Sequence, residues 1–158
     1  MIKLVSLYDR TGILPGAIEW LYELMKERDP EMNISHKELP TFEEHTAFVT
    51  SKPYRYWHLI VLPNGEWAGY ISATHANEIG IVIRKAYRGQ GYGPQAIMAF
   101  VATHRPNPGK PSQRNGAWLA NINPENEHSK YVFQKLGFRK LQETYILEED
   151  HGKTETEG

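Results

Sequence analysis

Apolar positions along the chain follow two rhythms, and the rhythm changes mark the elements. Residues 2–7 alternate apolar and polar side chains and predict a first strand. Asp9 to Gly12 forms a turn. A helical pattern then opens at Pro15, with Ile18, Leu21 and Met25 on one face and Asp29-Pro30 as its stop. Thr41-Phe42-Glu43-Glu44 has the spacing of a capping box and predicts a second helix, with Phe42, His45, Phe48 and Val49 inward and an end before Pro53. The β-branched and aromatic run at 54–62, the pair Asn64-Gly65 and the run at 67–74 predict a hairpin. Residues 78–83 are apolar on both faces, as in a central strand. Residues 94–104 return to the helical period, with Ile97, Phe100, Val101 and His104 on one side and Pro94 at the first position. A loop rich in Pro, Gly, Asn and Ser fills 105–116. A buried strand is expected at 117–122. A helix follows, capped by Asn123, with Pro124 at its first position, Val132, Phe133 and Leu136 inward, and Gly137 as its stop. Closing strands are expected at 138–143 and 144–147. The order β-α-α-β-β-β-α-β-α-β-β predicts a mixed sheet covered by helices.

Composition narrows the chemistry. The chain has 158 residues, 40% apolar and 23% charged, which fits one domain over 1–150 with a disordered polar tail at 151–158. It has no cysteine, so disulfides, thiolate nucleophiles and cysteine-based metal sites are excluded. The seven histidines show no paired ligand spacing, and no metal is expected. A net charge of −1 argues against a generic nucleic-acid surface. No run approaches a membrane span and no leader pattern is visible, so the cytosol is the expected compartment.

The most informative stretch is 78–93. A β-branched strand leads through Arg84-Lys85 into Arg88-Gly89-Gln90-Gly91-Tyr92-Gly93 and then a helix start. Backbone N–H groups at a helix N-terminus lack internal partners and the helix dipole favours an anion there, so this arrangement suits a phosphate. Glycines let the backbone approach a ligand closely.

These residues resemble the GNAT N-acetyltransferase superfamily. The Arg88–Gly93 loop matches its central motif, Arg or Gln followed by spaced glycines. Asn121-Ile122-Asn123-Pro124-Glu125-Asn126, Ser129 and the ending Lys135-Leu136-Gly137-Phe138 are similar to its carboxy-terminal half. The Asn-x-x-Ser form and Glu78-Ile79-Gly80 look most like the branch that acetylates protein N-termini and small amines. The resemblance runs from about Thr41 to Leu147 and implies an α/β (α+β) fold. That fold has a mixed, mostly antiparallel central sheet of about seven strands flanked by helices.

The resemblance implies acetyl-CoA as co-substrate and a small-molecule, amino-sugar or peptide amine as acceptor, with a homodimer among the open assemblies. Arg88, Gly89, Gln90, Gly91, Tyr92 and Gly93 would grip the pyrophosphate. Ile81, Val82 and Ile83 would pair with the pantetheine arm as a strand does. Asn121 and Asn126 would hold cofactor or water, with a plain helix cap as the alternative for Asn126. Arg84 and Lys85 would either add charge near the phosphates or form a solvated basic edge. Glu78 is the candidate base, its proton affinity raised by an apolar slot, against the alternative of an exposed strand-start carboxylate. His75 is the alternative base. Ser129 is the candidate donor to the leaving thiolate, because the family's general-acid tyrosine falls at Phe133. Tyr56, His58 and His75 are candidate acceptor contacts, with core packing the competing role for the first two. The alternative function is a catalytically weak acyl-CoA-binding sensor or partner protein of the same fold.

Overall fold

The computed structural model describes residues 1–27, 38–110 and 114–149. The expected helix stop at Asp29-Pro30 and the polar tail at 151–158 lie outside the described residues. Among the described residues the main sheet has five strands: β1 (Lys3–Ser6), β4 (Tyr56–Val61), β5 (Trp67–Ala73), β6 (Glu78–Ile83) and β7 (Leu119–Ala120). They lie in the order β1-β4-β5-β6-β7. All neighbours are antiparallel except β6 and β7. Two short strands, β2 (Tyr8–Asp9) and β3 (Gly12–Ile13), form a separate ribbon around the expected turn.

Helix α1 (Ala17–Glu27) buries Ala17, Leu21 and Leu24, so its inner face is rotated slightly from the expected stripe. Helix α2 (Phe42–Thr50) has the full capping box: the Thr41 hydroxyl accepts from the Glu44 N–H at 3.1 Å, and Glu44 Oε1 accepts from the Thr41 N–H at 2.9 Å. Only His45 and Val49 of its expected stripe are buried; Phe42 and Phe48 are exposed. Leu7, Trp57 and Leu59 pack with α1 and α2 in one core cluster. On the other side, Ile71, Ala73 and Ile79 pack with Ile97, Phe100 and Phe133. Those last three belong to α3 (Tyr92–Thr103) and α4 (Glu127–Lys135). Alternation along β4 therefore sends Trp57 and Leu59 to one helical layer and Tyr56, His58 and Ile60 to the other.

Two helix starts differ from expectation. Gly91, at φ +82°, caps α3, which places Tyr92 first and Pro94 third. Asn126, not Asn123, caps α4; Asn123 closes the preceding turn through its carbonyl and its side-chain oxygen. The expected closing strands at 138–143 and 144–147 are not formed, so the main sheet has five strands rather than about seven. The hydrogen bonds found there are mostly local, Lys140 to Glu143 and Tyr145 to Glu143, while Tyr145, Ile146 and Leu147 are exposed. β7 is only two residues long, which leaves little edge for a further strand to pair with.

Candidate active site

The site begins where the sheet divides. Antiparallel strands alternate between residues that bond across the pair and residues that point away. The Thr74 N–H donates to the Glu78 carbonyl at 3.0 Å, and the Arg84 N–H donates to the Ala68 carbonyl at 2.8 Å. With Tyr70 opposite Val82 and Ser72 opposite Gly80, the even-numbered residues of β6 face β5. The odd-numbered residues then turn their backbone groups the other way. At the strand's start these groups meet β7: the Leu119 N–H donates to the Asn77 carbonyl at 2.8 Å, and Ile79 lies opposite Ala120. Pairing with β7 stops there. The outward backbone groups of Ile81 and the N–H of Ile83 therefore lie on the side where pairing with β7 has ended, the Ile83 carbonyl accepts from Arg88, and the groups of Val82 are turned to β5. Residues Gly80 to Ile83 are only partly buried, although the strand is internal to the sheet.

The glycine loop follows the far end of β6. A short 3-10 turn over Lys85–Tyr87 leads into it. Arg88 folds back, its Nε donating to the Ile83 carbonyl at 3.1 Å. Gly89 and Gly91 have φ of +78° and +82°, which only glycine adopts without strain. The first turn of α3 presents the free N–H groups of a helix start, minus the one that Pro94 lacks. Arg84 is committed elsewhere. Its guanidinium contacts Glu27 at the end of α1 at 3.0 and 3.3 Å, and Glu27 also accepts from the Lys85 N–H at 3.1 Å. Burial raises the Glu27 carboxyl, but the Lys85 N–H and the Arg84 guanidinium outweigh it and hold the group below its ordinary value.

Glu78 stands at the fork itself, first residue of β6. Its Oε2 accepts from Asn121 Nδ2 at 2.7 Å and Arg114 Nη2 at 3.2 Å, and its Oε1 accepts from the Thr74 hydroxyl at 3.1 Å. The surroundings are thus a set of donors and not the apolar slot expected from sequence. Asn121 is brought to Glu78. Asn126 uses its side-chain oxygen to cap α4 through the Ser129 N–H at 3.1 Å. Ser129 lies in the first turn of α4, one turn before the buried Phe133 on the same face, and Phe133 packs edge-on against Phe138. Tyr131 points elsewhere and is exposed.

The three remaining candidates divide. His75 is exposed in the turn just before Glu78, and its carbonyl accepts from Asn107 Nδ2 at 3.0 Å. Tyr56 and His58 stack on each other and pack against Phe100 and His104. Burial, with the nearby His104 charge adding to it, pushes the His58 imidazole down to about 4.

Reasoning from sequence missed Arg114, Thr74 and Asn77. Asn77 is 1% exposed and has φ +69°. Its amide exchanges two hydrogen bonds with the Asn107 backbone, at 2.7 and 2.9 Å, which ties the loop after α3 to the start of β6. An asparagine directly before a strand, at a turn, was the available signal.

Residues 17–139 match the family model of the GNAT acetyltransferase domain. The chain belongs to the GNAT acetyltransferase family. This GNAT domain shares its fold with solved N-acetyltransferases. Against a spermidine N-acetyltransferase from Vibrio cholerae in complex with CoA and spermine the TM-score is 0.64 at 12% identity, covering 92% of this chain and 88% of that one. Against a putative phosphinothricin N-acetyltransferase it is 0.67 at 19% identity, covering 90% and 86%. A dodecameric spermidine N-acetyltransferase from the same Vibrio aligns at 0.57 and 13% identity, covering 92% of this chain and 85% of that one. No curated protein matches the chain significantly. As a GNAT enzyme the chain is an N-acetyltransferase. Among the described residues no helix is long and apolar enough to cross a membrane, and no cluster of side chains has the makings of a metal site.

Proposed function

We propose that this GNAT domain transfers an acetyl group from acetyl-CoA to a primary amine, carried by a small molecule, an amino sugar or a protein N-terminus. The observation that carries the reading is the end of β6–β7 pairing at Ile79, which leaves the outward backbone groups of Ile81 and the N–H of Ile83 without a strand partner among the described residues. A pantetheine arm bears amides spaced to bond such an edge. The glycine loop and helix start at Gly89–Gly93 suit its pyrophosphate.

In this reading the amine nitrogen attacks the thioester carbonyl directly. The C–N bond forms, the C–S bond breaks, and coenzyme A leaves as thiolate. An ammonium acceptor gives up two protons overall. Glu78 takes one before attack, directly or through water; of the two, one ends on the sulfur and one in solvent. Ser129, on α4, is the proposed hydroxyl donor to the thiolate, because Phe133 has no proton to give. The absence of cysteine removes an acetyl-cysteine intermediate, and nothing suggests another covalent carrier, which favours direct transfer with the amine and acetyl-CoA bound together.

The test is thiol release from acetyl-CoA in the presence of spermidine, glucosamine, kanamycin and a short peptide with a free N-terminus. Amine-dependent release with at least one of them is expected. Tight acetyl-CoA binding with no release for any amine would replace the enzyme reading with that of an acyl-CoA-binding sensor.

A further inference from the structure

Arg114 comes from the loop after α3, a stretch whose sequence carries no recognisable chemistry. The structure nevertheless brings its guanidinium to Glu78 Oε2 at 3.2 Å, and its other terminal nitrogen donates to Gln142 Oε1. Neither partner is close in sequence. The loop that carries Arg114 is pinned to the strand that carries Glu78 by the buried Asn77 amide and its paired bonds to Asn107. Asn77 takes a left-handed backbone, which asparagine tolerates better than most residues, and its two bonds hold Asn107 beside the start of β6.

We propose that Arg114 is the positioning residue for Glu78, which deepens the reading of Glu78 as base and rests on it. Arg114 and Asn121 together load one carboxylate oxygen, Oε2. Among the described residues Thr74 places a single donor on the other, Oε1, which keeps acceptor capacity for a substrate proton. The carboxylate is thus held by one edge and offered by the other. A planar guanidinium suits this task because it fixes direction as well as charge. Losing it would let the Glu78 side chain rotate, and small misplacements of a reacting group are expensive in rate.

The experiment uses the full chain, acetyl-CoA and the amine giving fastest release in the panel above. In R114A, kcat is expected to fall about 10- to 100-fold while acetyl-CoA affinity is unchanged. R114K should recover part of the loss, and added guanidinium ion should recover R114A further. A role confined to stapling the loop would lower thermal stability in R114A and would give no such rescue. The double variant E78Q/R114A should be no slower than E78Q alone, because Arg114 acts through Glu78. Losses that multiply in the double variant, or R114A at the wild-type kcat, overturn the proposal while leaving Glu78 in place. E78Q at the wild-type kcat removes the base reading itself, and this proposal with it.

Discussion

Single side chains at this site do work that their residue type alone does not reveal. Glu78 was legible in the sequence because it opens an apolar strand. Its partners were not, because Arg114 and Asn121 are 36 and 43 residues away along the chain and only folding brings them to it. His58 shows the same limit in reverse. As a histidine on an aromatic strand it has the chemistry of an acceptor contact, yet both ring nitrogens are enclosed and make no hydrogen bond among the described residues. Tyr56 stacks on it from the same strand and His104 faces it from the C-terminal cap of α3. Its imidazole is held down to about 4, against 6.5 in the unfolded chain. Between those values the unfolded chain binds the extra proton, so stability is full above about pH 6.5 and is lost as pH falls toward 4. H58F keeps the ring and removes the proton. Its thermal midpoint should vary less than wild type between pH 6.5 and 4.5, with little change above pH 7; parallel curves would contradict this.

Secondary elements explain why most of the fold was readable. The capping box at Thr41, the Asn64-Gly65 hairpin and the continuous apolar run of β6 are local signals, and each forms where the pattern places it. The strands at 138–147 failed because strand patterning states only that a segment would suit a sheet. It does not supply a neighbour, and the two-residue β7 offers almost none. The start of α3 shifted because Gly91 tolerates the left-handed cap, which outweighs the preference of Pro94 for the first position. One close approach holds the central elements together: a Cβ added at Gly69 of β5 would lie 2.1 Å from the Val82 carbonyl oxygen of β6. G69A must therefore push β6 away or distort β5. A loss of roughly 1–3 kcal/mol in stability is expected, with weakened acetyl-CoA binding because the displaced strand is the proposed pantetheine edge. Urea unfolding and calorimetric titration check the two parts; an unaffected affinity in a destabilised variant would separate β6 from the cofactor.

At the scale of the whole molecule, the sheet exposes backbone hydrogen-bonding groups in two different ways. β1 is an outer edge, whereas β6 is internal and, among the described residues, lacks a strand partner on its outward side only beyond Ile79. Layers of helices cover both faces, α1 and α2 on one and α3 and α4 on the other, so the fork opens between elements that are otherwise braced. The loop proposed to grip phosphate, the edge proposed to pair with the arm and the carboxylate proposed to take a proton thereby follow one another along residues 78–93. Amide hydrogen exchange with and without acetyl-CoA tests this arrangement most directly. Acetyl-CoA should slow exchange at Ile81 and Ile83 and at Gly89 to Gly93, while Lys3 to Ser6 of the β1 edge stay unchanged. Binding of acetyl-CoA with no added protection at Ile81 and Ile83 would contradict the account.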